Sequence, residues 1–370
     1  MITKQIYYKV CEHKFYNLYS ACDFAASFFC HEPVKFYFND EKFQSYNWQS
    51  EPETSFKELM IKRALQIREK YKKIILFFSG GTDSWLMYKI FRDLKIKIDE
   101  IVIGYHNDNF PGAYGYSNQI VKWMHKHHYD NDTKITPVDR LFFAKNYIQQ
   151  KWRNSNFIFD EKSISGHPFF SLTSDANELN KKFQEHYKEK WCMILGAEKP
   201  YVVCRKGEWY ATHLDKQYNH MMALDNCEFF YISEDLPDLH IKQHHMIKNF
   251  FKQKLKIESD WDSGSWCNNS MNYYMFANAC GREDELLSGA SYVQKTFTRS
   301  VAKSFESKHG NVWNLINDFS PDYVKAITNF EVSEKTKNYM ERFHFTNFRS
   351  NNKLSYSTNG LYSMLHYLGR

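Results

Sequence analysis

Glycine and proline are both scarce in this chain, at 14 and 8 of 370 residues. Their scarcity excludes a collagen-like repeat and a chain built mostly of linkers. No two of the eight cysteines are spaced CxxC; they stand singly at Cys11, Cys22, Cys30, Cys192, Cys204, Cys227, Cys267 and Cys280. A zinc ribbon, a four-cysteine cluster site and a CxxC redox pair are therefore unsupported. Scattered thiols fit a reducing cytosol better than a disulfide scaffold. Long apolar runs are missing too: residues 74–78 (IILFF) fall far short of the roughly 20 residues that span a bilayer. The opening MITKQIYYKVCEHKF carries charges within every apolar stretch, unlike a signal peptide. A soluble, cytoplasmic protein with no membrane partner is expected.

What is present is enough for a large core. Apolar residues make up 43% and charged residues 25%, which excludes wholesale disorder. Aromatics reach 18%. The length suggests two domains or one elaborated domain. The net charge of +6 suits a phosphate-rich partner, an ordinary solvated surface being the competing account, and no block of like charges marks a nucleic-acid tail.

Residues 1–53 read as an irregular N-terminal extension with one strand at 34–38 (VKFYF). Ser55 and Glu58 form a capping-box pattern, which predicts a helix to about Lys70 with Phe56, Leu59, Met60 and Ala64 on one face and Ile67 at its margin. Residues 74–78 form a short continuous apolar run, as in a strand buried on both faces of a parallel sheet. A helix follows at once, with Leu86, Met87, Ile90, Phe91 and Leu94 in helical spacing, and then a second strand at 101–105. Strand, turn, helix and strand fill about 30 residues, the length of a βαβ crossover.

The alternation continues with a helix at 117–128, a strand at 134–138, a helix at 141–152, a loop at 163–173, a helix from Asp175 to about 190 and a strand at 192–195. Residues 201–205 and 208–212, joined at Lys206-Gly207, read as a hairpin. The fold class expected is α/β, a doubly wound parallel sheet over 54–235. Residues 236–370 read as a mainly helical accessory region, with helices at 241–256, 269–279, 292–307 and 333–343.

The lysines of 241–256 (Lys242, Lys248, Lys252, Lys254 and Lys256) read as a solvated helix face, nucleic-acid contact being the alternative. His125, His127 and His128 cluster, as do His240, His244 and His245. His240 and His244 have the i, i+4 spacing that can share a metal, but no acid stands between them, and solvated histidines are expected. Residues 261–266 (WDSGSW) read as a turn with two core tryptophans, a substrate loop being the alternative.

Gly80 and Gly81 are the only adjacent glycines in the chain. They lie in Ser79-Gly80-Gly81-Thr82-Asp83-Ser84, between the apolar strand and a helix start. Unpaired N–H groups and the positive dipole end at a helix N-terminus attract anions. Two glycines let the backbone approach an anion closely, and the hydroxyls add donors, so the segment reads as a phosphate cradle. Asp83 would repel phosphate alone; beside a cradle it fits a Mg²⁺ ion that bridges phosphate oxygens. The Walker A lysine and the GxGxxG spacing are both missing.

SGGTDS resembles the SGGxDS signature of the PP-loop enzymes, the N-type ATP pyrophosphatases of the adenine nucleotide alpha hydrolase-like superfamily. A capped helix, a strand and SGGxDS in succession look most like the synthetase domain of asparagine synthetase. The resemblance covers 54–235 and implies strand order 3-2-1-4-5. It implies binding of ATP and Mg²⁺, with Ser79, Gly80, Gly81, Thr82 and Ser84 holding pyrophosphate and Asp83 binding the metal. A carboxylate or carbonyl oxygen of a small-molecule acceptor would then attack the α-phosphorus. Pyrophosphate leaves, and a nitrogen or sulfur nucleophile later displaces AMP.

By the same resemblance, Gly104 and Tyr105 at the end of the second strand would receive adenine and ribose. At the end of the fourth strand, Gly196 would join the nucleotide set, Lys199 would neutralise phosphate charge and Glu198 would share the metal. A plain loop and a surface turn are the competing accounts of those two ends.

Parts of the family are missing. Ile2 stands where a glutamine-dependent asparagine synthetase has its cysteine nucleophile, and the 53-residue lead is short for a glutaminase domain. Ammonia, an amine or a separate ammonia-donating subunit would have to supply the nitrogen. A tRNA or DNA base is a second acceptor class. Sulfonucleotide reduction is weakened because the last cysteine, Cys280, lies far from the C-terminus. A non-catalytic nucleotide sensor is the remaining alternative.

Overall fold

The computed structural model describes residues 6–15, 18–78, 82–105, 115–139, 182–196, 201–213, 215, 226–254, 256, 261–262, 320–322, 333–343 and 361–370. At its centre lies a five-stranded sheet in which all pairings are parallel. Its strands are β4 (Lys73–Phe77), β5 (Glu100–Tyr105), β6 (Lys134–Asp139), β7 (Trp191–Leu195) and β10 (Cys227–Phe229), and they lie side by side as β6-β5-β4-β7-β10. The apolar run at 74–78 therefore becomes the central strand.

Alternate residues of that sheet feed two cores, as strand pleating requires. Ile75, Val102, Met193 and Leu195 join one core; Ile74, Leu76, Ile101, Ile103, Cys192 and Ile194 join the other. Helices α3 (Phe56–Lys70), α4 (Thr82–Asp93) and α5 (Gly115–His127) supply the second core. The Ser55 hydroxyl accepts from Glu58 N–H, and the Glu58 carboxylate accepts from Ser55 N–H, so the expected capping box starts α3. Leu86, Met87, Ile90 and Phe91 of α4 are buried as expected, and so are Trp85 and Tyr88. Each such side chain contributes about 1.5–3 kcal/mol on burial, so α4 is firmly seated on the sheet.

The first core corrects two expectations. The N-terminal extension is not irregular. It holds β1 (Ile6–Val10), β2 (His13–Phe15) and β3 (Lys35–Phe38), an antiparallel sheet of order β2-β1-β3, with α1 (Leu18–Ser27) and α2 (Asp40–Phe43). The expected hairpin of β8 (Tyr201–Arg205) and β9 (Glu208–Thr212) is present. It forms a second antiparallel sheet, β11-β8-β9-β12, with β11 (Trp261–Asp262) and β12 (His366–Gly369). The 261–266 stretch thus begins as a strand, not a turn. Lys206 and Gly207 both take positive φ (51° and 77°), which matches the twist of a two-residue hairpin loop.

Among the described residues of 236–370, β11 and β12 stand beside two helices, α6 (Pro237–Lys254) and α7 (Glu334–Arg342). Residues from Ile6 to Leu368 share the first core. The helix expected from Asp175 is seen at 182–186, and 187–190 are not helical. The expected elements at 141–152, 163–173, 269–279 and 292–307 lie outside the described residues. The described cysteines are free, with the Cys11 and Cys30 thiols 2.9 Å apart.

A buried ion pair fastens α3 to β10. Arg63, fully buried, donates to Glu228 Oε2 (2.7 Å) and to the Phe229 carbonyl (2.8 Å). Tyr71 donates to Glu228 Oε1, and Lys70 sits 2.9 Å from that oxygen. Burial alone would raise the Glu228 carboxyl, but Arg63, Tyr71 and Lys70 outweigh it and hold its pKa at about 2.

Candidate functional site

The carboxyl ends of β4, β5 and β7 lie next to one another: Phe77 pairs with Val102, and Leu76 with Ile194. In an open α/β sheet, ligands sit beyond this edge, where the chain order reverses. Here that point falls between β4 and β7. Phe78 N–H still bonds to the Val102 carbonyl (2.9 Å), and α4 begins at Thr82. Residues 78–81 alone link the central strand to a 12-residue helix, so the first turn of α4 opens directly at the carboxyl edge.

Ser79, Gly80, Gly81 and the side chains of Thr82 and Asp83 lie outside the described residues. Thr82 and Asp83 are the first two residues of α4, and Ser84, the third, is buried. Gly104 and Tyr105 end β5 in register with Val138 and Asp139; their side chains lie outside the described residues. Glu198 and Lys199 also lie outside them, just past β7.

Gly196 is placed in detail, and its surroundings explain the glycine. A Cβ there would come within 2.6 Å of Met87 Cε, 2.8 Å of Met87 Sδ and 3.1 Å of Tyr231 Cε2. The residue is bare because α4 packs directly against the end of β7. Its demonstrated contact is with a helix side chain, whatever else the edge binds.

A cleft of about 750 Å³ lies by Lys190 and Trp191, at the amino end of β7 and away from the motif. Among its charged lining residues, Lys70 pairs with both Glu228 and Asp235.

Two expectations about α6 are corrected. Its lysines do not form a simple solvated face: Lys242 pairs with Glu51 (2.9 Å) and donates to the Pro52 carbonyl, and buried Lys248 donates to the Leu368 carbonyl (2.8 Å). Lys252 and Lys256 remain exposed. His240, His244 and His245 are not solvated either, but almost wholly buried. His128 is half-buried with Nδ1 2.9 Å from the Tyr88 hydroxyl, while His125 and His127 are exposed as expected.

His213, which no local pattern marked, meets His240 and His244 in the interior. Burial, reinforced by the neighbouring imidazoles, holds His213 and His240 neutral. Burial also lowers His244 to about 3 and His366 to about 4.

No protein-family model matches the chain, and no curated protein matches its sequence. No helix among the described residues is long and apolar enough to cross a membrane.

Proposed function

We propose that the protein is a PP-loop-type ATP pyrophosphatase that adenylates a carboxylate or carbonyl group and passes the activated product to a nitrogen nucleophile. The observation that carries this reading is the position of SGGTDS, between the central strand of a five-stranded parallel sheet and the N-terminus of α4. Numbered as they occur along the chain, the sheet strands run 3-2-1-4-5 from β6 to β10, the order that the PP-loop resemblance implies.

The backbone fits the role. The first turn of α4 lies at the carboxyl edge, and backbone N–H groups at a helix N-terminus suit phosphate oxygens. The tight packing of α4, including Met87 against Gly196, fixes where those donors stand. Asp83 and Glu198 would hold Mg²⁺, which supplies charge neutralisation at the phosphates. The chain's contribution is then positioning and electrostatic stabilisation of the departing pyrophosphate. Gly104 and Tyr105, at the end of β5 one strand over, would receive the nucleoside, and Lys199, four residues past β7 in sequence, would neutralise phosphate charge. A small acceptor is favoured over a nucleic acid because Lys242 and Lys248 of the basic helix are used internally.

The test is incubation of the purified chain with α-labelled ATP, Mg²⁺ and candidate acceptors. AMP and pyrophosphate are the products expected. ADP as the sole product would overturn the reading, and tight ATP binding without turnover on any acceptor would replace the enzyme with a nucleotide sensor.

A further inference from the structure

We propose that His213, His240 and His244 form a binding site for one transition-metal ion of the zinc class, at the junction of the hairpin, α6 and the N-terminal sheet. One ring nitrogen from each residue lies within 4.8 Å of the other two, and all three residues are fully buried. His240 and His244 stand one turn apart on α6, so their rings share a face. His213 follows directly on β9 and reaches the same point from the other side.

The imidazoles are arranged for coordination through Nε2. His244 Nδ1 lies 2.9 Å from the His240 carbonyl, and donating its proton there leaves the lone pair on Nε2. His213 Nδ1 faces the Ser363 hydroxyl at 3.3 Å, which can take its proton in the same way. Such outer hydrogen bonds commonly orient histidine ligands. His213 Nε2 and His240 Nε2 already approach to 2.8 Å. Nitrogens bound tetrahedrally to zinc at about 2.0–2.1 Å stand roughly 3.4 Å apart, so small ring rotations complete the geometry.

His244 Nε2 and His240 Nδ1 are buried and have no hydrogen-bond partner among the described residues, although the Thr212 carbonyl faces the His244 imidazole. An unsatisfied buried polar atom costs about 1–3 kcal/mol, and an ion held through the Nε2 atoms would give His244 Nε2 a partner.

The ligand set selects the ion. Three neutral imidazoles with no carboxylate among them suit zinc, cobalt or nickel over magnesium or calcium. Phe38, Phe43 and Trp48 wall the cluster, with ring centroids 4.5–5.3 Å from the histidines they touch. Compensating negative charge is close by along the chain. The segment that brings Ser363 to His213 also bonds the buried carboxylates of Asp215, through Leu361 N–H (2.9 Å), and Asp40, through Met364 N–H (3.4 Å). A bound ion would join segments that begin near residues 38, 213, 240 and 363 into one unit.

The test uses the full-length chain, stripped with a chelator and titrated with Co²⁺ and Zn²⁺. Expected are a visible ligand-field band at one Co²⁺ per chain, its displacement by Zn²⁺, and a higher melting temperature with metal. His244→Gln should abolish the band while leaving the far-ultraviolet circular dichroism of the stripped protein unchanged. Ser363→Ala should weaken binding by about tenfold, as for other outer partners of metal-bound histidine. The doubly substituted surface control, His125→Ala with His127→Ala, should bind as the wild type does. A folded wild-type chain that shows neither the band nor a melting shift overturns the proposal and leaves a hydrogen-bonded histidine cluster. Loss of the band in the surface control overturns it as well.

Discussion

The edge of the parallel sheet and the junction behind it are built in opposite ways. The edge is made by neighbours in sequence: α3, β4, the SGGTDS turn and α4 follow one another from Phe56 to Asp93. The junction is made by strangers. His213 meets His240, Arg63 meets Glu228, Lys248 meets the Leu368 carbonyl, and Tyr8 donates to Asp215 from 207 residues away. Local construction gives a turn whose residues can be exchanged with limited damage to the frame. Distant construction gives polar pairs that are costly to break, because the surviving partner stays buried.

The sharpest way to break this contrast is Glu228→Ala. It strands Arg63, whose side chain is 1% exposed, and should cost about 3–5 kcal/mol in urea unfolding. Pairing it with Arg63→Met should recover part of the loss, since no charge is then left buried. The Glu228 carboxyl is held at about 2 against an ordinary 4.5, so the stability it contributes is fully present above about pH 4.5 and is lost as the pH falls toward 2. Wild type should lose roughly 3 kcal/mol more than Glu228→Gln across that window. Equal losses in the two proteins would show that the pair holds nothing together.

At the edge, Asp83→Asn should do the reverse. Pyrophosphate release should fall by about 10²–10³, the scale on which a single preorganised electrostatic group acts, while the urea midpoint stays within about 0.5 kcal/mol of wild type. A large loss of stability with unchanged turnover per folded molecule would make Asp83 a structural residue of α4.

The same contrast decides what could be read from the sequence. The edge was legible because its signals are local: Ser55 with Glu58, five apolar residues in a row, and a helical stripe after two glycines. Strand β10 was not, because Glu228 in the middle of three residues reads as loop until Arg63, 165 residues earlier, neutralises it. The β1–β2 hairpin was hidden by its turn, where Cys11 takes φ of 49° with no glycine or asparagine to announce it. In sequence the histidines look solvated because nothing near them supplies their aromatic wall, which comes from residues 38–48. Of the motif's side chains, Ser84 is among the described residues and is buried at the start of α4.

Gly196→Ala tests the place where the motif's helix meets the neighbouring strand. The added methyl would collide with Met87, which is fully buried, and would crowd Tyr231. Overpacking of this kind costs about 1–3 kcal/mol. Because the closest approaches are to Met87, the same change in a Met87→Ala background should cost less, by about 1 kcal/mol. Melting curves of the four proteins measure that coupling. Simple additivity would mean that the strand end shifts as backbone and that Met87 is not what keeps position 196 bare.

The smallest effect belongs to the most local device. Ser55→Ala removes the oxygen that accepts from Glu58 N–H and should cost about 1 kcal/mol. α3 lies two residues from β4 and shares a core with α4, so a frayed α3 could in principle loosen the turn. The packing argues otherwise. Leu59, Met60, Ala64 and Ile67 anchor the body of α3 well beyond its first residue, and Arg63 ties it to β10. The expected outcome is a lower urea midpoint with pyrophosphate release per folded molecule unchanged. A fall in turnover without a fall in stability would mean that the cap sets the angle at which β4 delivers the motif, and the edge would then depend on geometry reaching back to residue 55.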